Sequence, residues 1–420
     1  MENIRLTLCG AGRRGKDICA RVFALMQDVE IVGIADCSPE NAHSVADLML
    51  EKTGNRPHVY ASYQEMFDAE KPDAVFIATS WEAHRDITIA AFNKGIAVAL
   101  EVGGAFDESE WFELIDTYEK TRTPFMFMEN CCFGRNELLA ASLKRNGVFG
   151  EVVYCHGAYM HDTRKLVTHE GGKTGNFRLF KLRDHNGDCY PTHELGPCAK
   201  LLDINRGNRM VSLTSRASNA RGLADYIDRN ADVSHLRGME FKQGDIVETL
   251  ITCENGELIS IRLDTSLPCY YSRELTVRGT RGMYEEKLGL VLVDDWHEKY
   301  ETQAQLLADA ENIQKEYEEK YLPEIWKHIS GNMAQAGHGG IDYLQFEAFF
   351  DALRYGREMP IDVYDAASWM SVAYLSEKSI ALGGASVEIP DFTRGSYKNR
   401  KPRDVVPLPV VQQEEKERFL

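Results

Sequence analysis

The 420-residue chain has no apolar run long enough to span a bilayer. Its hydrophobic fraction of 44% and charged fraction of 27% are ordinary for a globular protein. Positive charge is in deficit: 48 Lys and Arg against 65 Asp and Glu leave a formal charge of −17. A phosphate backbone is bound by clustered cations, so no nucleic-acid partner is expected. The ten cysteines are scattered, with no C-x-x-C pair. That spacing excludes the common zinc patterns, so no metal is expected, and most thiols read as small core hydrophobes. Met1 to Leu8 runs straight into a strand pattern, without a basic segment, apolar core and cleavage site. A cytoplasmic location and no membrane partner are the expectation.

What is present begins at residue 4. Ile4 to Cys9 alternates as a strand and runs into Gly10-Ala11-Gly12-Arg13-Arg14-Gly15. A helical pattern follows through Ile18, Val22, Phe23 and Met26, and then Val29 to Asp36 reads as a second strand ending in a carboxylate. Glycines between a strand and a helix, with an acid about twenty residues on, form a dinucleotide signature. Gly10, Gly12 and Gly15 let the backbone approach a pyrophosphate, and the helix start offers free N–H groups. Asp36 suits two ribose hydroxyls and opposes a 2′-phosphate, which favours NAD over NADP. Arg13 and Arg14 weigh the other way.

The alternation continues to about residue 135. Ala74 to Thr79, Ile96 to Glu101 and Phe125 to Asn130 are short apolar runs, as buried parallel strands require, with helices predicted between them. Their carboxyl ends place Ser80-Trp81-Glu82-Ala83-His84, Glu101-Val102 and Glu129-Asn130 around one crevice. The fold class predicted is α/β. Residues 1–135 form a Rossmann dinucleotide-binding domain. Residues 136–420 form an α+β domain with a large, mostly antiparallel, open-faced sheet. Its strands are read at Glu151 to Tyr159, Met210 to Ala217, Ile246 to Cys253, Leu258 to Thr265 and Glu274 to Gly279. A charged helical insertion is expected at about 297–329. An uncovered sheet face calls for a partner, so a homo-oligomer, dimer or tetramer, is expected.

One stretch in the second part carries the densest chemistry: Gly187-Asp188-Cys189-Tyr190-Pro191-Thr192-His193-Glu194. Tyr190 and His193 stand three residues apart, near one helical turn, so both can face the same way from a helix start. Thr192 is expected to cap that helix and Pro191 to restrict the approach. A phenol beside an imidazole can move protons near neutral pH.

With these residues in view, the chain resembles the Gfo/Idh/MocA oxidoreductase family. Within it, the chain most resembles glycoside hydrolase family 109, the NAD-dependent α-N-acetylgalactosaminidase group. The likeness rests on Trp81-Glu82-Ala83-His84, Glu101-Val102, Glu129-Asn130-Cys131-Cys132, Tyr159-Met160-His161-Asp162, Tyr190-Pro191-Thr192-His193 and Gly337-His338-Gly339-Gly340-Ile341-Asp342. The resemblance implies NAD contacts at Arg13, Arg14, Asp36, Trp81, His84, Glu101, Val102, Asn130 and His193. It implies sugar contacts at Tyr159, Arg178, Tyr190 and Tyr271, and His161 is grouped with them. Family dehydrogenases usually carry Glu-Lys-Pro where this chain has Glu101-Val102-Gly103, and that lysine serves the alcohol proton. The glycosidase group also lacks the lysine, but tends to have proline in place of Gly103 and glycine in place of Glu194.

No pair of carboxylates stands out by spacing for ordinary glycoside hydrolysis. The resemblance implies another route: transient oxidation at C3 of the sugar, elimination, water addition and re-reduction. His193 and Tyr190 are the candidate proton carriers. Glu129 is the third candidate catalytic residue, as an orienting group, and Arg178 is read as a holder of charge. Two alternatives stay open: a net NAD-dependent dehydrogenase of a glycoside, sugar or polyol, and a non-catalytic NAD-binding regulatory protein.

Overall fold

The computed structural model describes residues 3–104, 107–169, 176–327, 329, 331 and 333–411. The chain forms two compact units, residues 1–133 with 325–367, and residues 134–324 with 368–420.

Six parallel strands make the sheet of the first unit: β1 (Ile4–Cys9), β2 (Val29–Ala35), β3 (His58–Tyr60), β4 (Ala74–Ile77), β5 (Ala97–Glu101) and β6 (Phe125–Met128). Their order is β3-β2-β1-β4-β5-β6. Helices α1 (Arg13–Arg21), α2 (Pro39–Thr53), α3 (Tyr63–Glu70), α4 (His84–Asn93) and α5 (Glu108–Thr121) alternate with the strands. Strands β4 and β6 are buried at every position, which is why they read as unbroken apolar runs rather than alternating ones. The order reverses between β1 and β4, the point at which such sheets open a ligand crevice.

The second unit is built on an eight-stranded sheet. It comprises β7 (Val152–Met160), β8 (Met210–Ala217), β9 (Ile246–Cys253), β10 (Leu258–Asp264), β11 (Thr276–Gly279), β12 (Gly282–Glu285), β13 (Leu290–Val293) and β14 (Val387–Glu388). The order is β13-β12-β11-β7-β10-β9-β8-β14, antiparallel except for β7 beside β10. Burial alternates along β9 and β10, as expected of strands with one covered face. The other face carries a charged ladder: Glu248 with Arg262 at 2.6 Å, Arg262 and His156 each 3.4 Å from Glu274, and Lys287 on the same Glu274.

Helices α6 (Arg135–Arg145), α7 (Arg164–His169), α8 (Phe177–Asp184), α9 (Thr192–Leu201) and α10 (Gly222–Arg229) follow in chain order. Val167, Leu179, Leu182, Leu223, Ile227, Val233 and Leu236 form a small apolar cluster that ties α7, α8 and α10 together. The insertion read at 297–329 is helical, with α11 to α14 at Trp296–Lys299, Gln303–Ala308, Ala310–Tyr321 and Glu324–Lys327. The chain then gives α15 (Ile341–Arg354) and α16 (Val363–Ala381). No helix among the described residues is long and apolar enough to cross a membrane.

Candidate functional site

In the first unit the glycine turn follows β1. Gly10 sits at φ +96° with the Ala78 and Thr79 backbone 2.6 Å from where a Cβ would stand. Any side chain there would be strained and would push β4 away. A Cβ on Gly15 would collide with the Gly10 carbonyl, whereas Gly12 faces open space. Gly12 is the N-cap of α1, and no side chain caps that end. The first N–H groups of α1 are therefore available to a pyrophosphate. Asp36 follows β2 and is braced on both oxygens. Its Oδ2 accepts the Ala11 N–H at 2.6 Å and its Oδ1 accepts the Ser38 N–H at 2.7 Å. That bracing aims a fixed carboxylate beside the glycine turn, where a ribose is bound in this type of fold.

The other candidate cofactor residues lie at the ends of β4, β5 and β6. Trp81 is buried in a short 3₁₀ turn before α4. A Cβ on Gly103 would collide with the Trp81 indole, and Gly103 holds φ +108°. Proline is locked near φ −65°, so the glycine at this position follows from the backbone the chain takes here. His84 is buried, with Nε2 3.1 Å from the Thr79 carbonyl. Burial pulls its pKa down to about 4 against the pull of the Thr79 carbonyl, so the ring is neutral near pH 7. Val102 is buried after β5. Glu101 receives Arg14 Nε at 2.7 Å, and the Arg14 fork reaches Asp342 at 2.9 and 3.0 Å. Burial opposes the Arg14 charge, but Glu101 and Asp342 outweigh it and hold its pKa above the ordinary value. Arg14 is thus engaged by two carboxylates, while Arg13 lies on the exposed side of α1. Glu129 is fully buried, and its Oε1 accepts the Cys131 N–H at 2.9 Å. Asn130 is buried beside it.

The second unit brings together six of the residues read from the sequence. Tyr159 and Tyr190 stack with centroids 5.1 Å apart. The His193 ring meets both edge-on, at 4.9 Å from Tyr159 and 4.8 Å from Tyr190. The Tyr159 hydroxyl is 2.9 Å from His161 Nδ1, and the His161 ring lies 5.3 Å from Tyr271. Arg178 lies over the Tyr190 ring at 4.5 Å and donates to the Tyr190 hydroxyl at 3.2 Å. Three local features set this geometry. Tyr159 is near the end of β7, opposite Leu263 of β10. The bridge between Met160 and Ser272 draws Tyr271 alongside, where it is 52% exposed. Arg178 is the second residue of α8, whose Leu179 and Leu182 are locked in the apolar cluster.

Burial disfavours the Arg178 charge, but the phenols of Tyr190 and Tyr159 outweigh it and hold its pKa above the ordinary value. The cluster therefore offers an imidazole, a phenol and a fixed positive charge, with the Tyr271 ring exposed at its edge.

Thr192 does not cap α9. Pro191 occupies the N-cap and Thr192 is the first helical residue, its Oγ1 without a hydrogen-bond partner among the described residues. Two buried carboxyls that the sequence reading missed, Asp188 and Glu194, flank the helix start. Burial pushes Asp188 up to about 7, against the lowering effect of Glu194 and of the Tyr190 N–H that Asp188 accepts at 3.3 Å. The Asp188 N–H in turn donates to Ser376 Oγ at 2.7 Å. Tyr190 and His193 both lie between these two carboxyls in the chain.

The folded Asp188 holds a proton that the unfolded chain releases near 3.8, so the pair costs stability as pH rises from 3.8 to about 7. Glu194→Gln replaces the neighbouring buried carboxyl with an amide that can donate to an ionised Asp188. Its thermal midpoint should fall less than that of the parent between about pH 5 and pH 8, by a slope difference of at most ~1.4 kcal/mol per pH unit. Parallel pH profiles for the two proteins would remove the coupling between the two carboxyls.

These two constellations define a Gfo/Idh/MocA-type enzyme, an NAD-dependent glycosidase or sugar oxidoreductase, and comparison with known proteins agrees. The model of the oxidoreductase family with an NAD-binding Rossmann fold matches residues 4–128, and that of the glycosyl hydrolase 109 C-terminal domain matches residues 133–399. The chain belongs to glycosyl hydrolase family 109. A family 109 protein of Stenotrophomonas maltophilia is 33% identical, over 96% of this chain and 91% of its own. An α-N-acetylgalactosaminidase of Tannerella forsythia is 33% identical, over 95% and 88%. Among solved structures, levoglucosan dehydrogenase with NADH and L-sorbose superposes with a TM-score of 0.70 at 18% identity, over 93% of this chain and 100% of that one. Myo-inositol 2-dehydrogenase from Lactobacillus plantarum gives 0.65 at 17%, over 93% and 100%. These structural likenesses bear on the fold.

Proposed function

We propose that this protein hydrolyses an N-acetylgalactosaminide or a related glycoside by transient oxidation at C3, elimination, water addition and re-reduction. The supporting observation is the Tyr159, Arg178, Tyr190 and His193 cluster, combined with Val102 in place of the lysine that family dehydrogenases use. NAD, which the glycine turn and Asp36 would hold, would accept hydride from C3 and return it, with the C3 hydroxyl proton passing to solvent and back. The sugar lies at the rim of this cluster, beside the exposed Tyr271 ring. His193 takes the C2 proton once C3 is a ketone, because the carbonyl makes that hydrogen acidic. Arg178 stabilises the charge that develops on the C3 oxygen. The Tyr190 phenol donates a proton to the departing C1 oxygen; water then adds at C1 of the enone and gives its proton to Tyr190, while His193 returns a proton to C2. Glu129 orients the bound groups. The net change is glycoside plus water to sugar plus alcohol, with NAD regenerated.

A second reading, net oxidation of a sugar with release of NADH, is favoured by the sugar and polyol dehydrogenases among the structural neighbours. A panel of aryl α- and β-glycosides separates the two. Aglycone release without accumulating NADH absorbance is the expected result. Stoichiometric NADH with the glycosidic bond intact assigns the dehydrogenase reading.

A further inference from the structure

Asp342 is a buried carboxylate outside every role assigned above, and the side chains of Arg14, Asn130 and His338 all meet it. Its Oδ1 accepts Asn130 Nδ2 at 2.7 Å and Arg14 Nη2 at 3.0 Å. Its Oδ2 accepts Arg14 Nη1 at 2.9 Å and His338 Nδ1 at 2.8 Å. A carboxylate only accepts, so His338 carries its hydrogen on Nδ1. Burial would raise the Asp342 pKa, but Arg14 and His338 outweigh it and hold it well below the usual carboxylate range. The glycines before α15 serve this carboxylate. A Cβ on Gly337 would collide with the Asp342 carboxyl, and Gly340, the N-cap of α15, sits at φ +101°.

The groups that Asp342 holds share one position in the fold. Glu101, reached through Arg14, ends β5, and Asn130 follows β6. In a sheet of order β3-β2-β1-β4-β5-β6 the two halves bind one nucleotide each. Asp36 after β2 belongs to the adenosine half. The ends of β5 and β6 belong to the nicotinamide half. The Arg14 charge is met by two carboxylates, so this locus is a poor phosphate binder and a good clamp for neutral hydroxyl and amide groups.

We propose that Asp342 is a positioning residue for the nicotinamide half of NAD, fixing Asn130 directly and Glu101 through the Arg14 fork. The inference rests on NAD binding and not on the glycosidase reading, because its test contains no sugar. Titration of the full-length protein with NAD⁺ and with AMP, which carries only the adenosine half, reads the effect. Asp342→Asn removes the charge and one acceptor, and is expected to raise the Kd for NAD⁺ about tenfold while leaving that for AMP within about twofold. Arg14→Lys keeps the charge and loses the two-pronged geometry, so it should show the same split and stands in if Asp342→Asn fails to fold. A Kd for NAD⁺ within about twofold of the parent in a folded variant overturns the proposal. Equal weakening of NAD⁺ and AMP also overturns it, since general damage to the unit has no reason to spare one half.

Discussion

Removing the imidazole or the phenol of the aromatic cluster is expected to lower turnover on the order of 10²-fold or more, with NAD affinity changed far less. His193→Ala deletes a ring that lies edge-on to both Tyr159 and Tyr190. Tyr190→Phe keeps the stacked ring and deletes only the hydroxyl that Arg178 contacts at 3.2 Å. The phenylalanine variant is the sharper probe, because the stacking on Tyr159 survives and only the proton is lost. Steady-state rates on an aryl glycoside, measured with NAD titrations on the same preparations, check both. Near-parental rates in both variants would make the Tyr190 and His193 pair a packing feature.

The second large effect is expected at Asp36. Its carboxylate is held by the N–H groups of Ala11 and Ser38 at 2.6 and 2.7 Å, so it cannot swing aside to admit a 2′-phosphate. The preference for NAD over NADP should be strong in the parent. It should fall by about tenfold or more in Asp36→Ala, as close like charges cost over 1 kcal/mol in a partly buried setting. Arg14 does not compensate in the parent, because Glu101 and Asp342 occupy its guanidinium. Parallel titrations with the two cofactors read the ratio. A parent that binds NADP as tightly as NAD would end the argument from Asp36.

Much of the fold was legible because it follows local rules. Five of the six strands of the first sheet are apolar runs next to turn residues, and periodicity marks them to within a residue or two. The sixth, β3, has three residues at the sheet edge and buries none of them fully, so it leaves no pattern. Strands β12 to β14 are two to four residues long and escaped for the same reason. The end of the strand–helix alternation near 135 marks where the chain first leaves the first unit. The return at 325–367 has no such mark, because helical periodicity does not say which unit a helix packs on.

The candidate site divides in the same way. Residues at strand ends and at the start of α9 were readable from local spacing. Asp342 and Arg14 are 328 positions apart, and only the folded chain pairs them. Asp188 and Glu194 flank the start of α9, and Asp188 lies before the helix, so no helical face links them. Glu194 stood out in the sequence only as a replacement for a family glycine. The structure shows what the replacement does: it adds a second buried carboxyl beside Asp188 at the helix start that carries Tyr190 and His193.

The central claim is that the glycosidic bond breaks through a ketone that is made and unmade at C3. Running the reaction in D₂O with NAD⁺ and reading the released sugar by NMR tests it most directly. Deuterium at C2, hydrogen retained at C3 and no lasting gain in NADH absorbance are the results expected, because C2 is deprotonated while the hydride returns to its own carbon. A released sugar with no deuterium at C2 would contradict the elimination route, and NADH formed in step with an intact glycoside would replace hydrolysis with net oxidation.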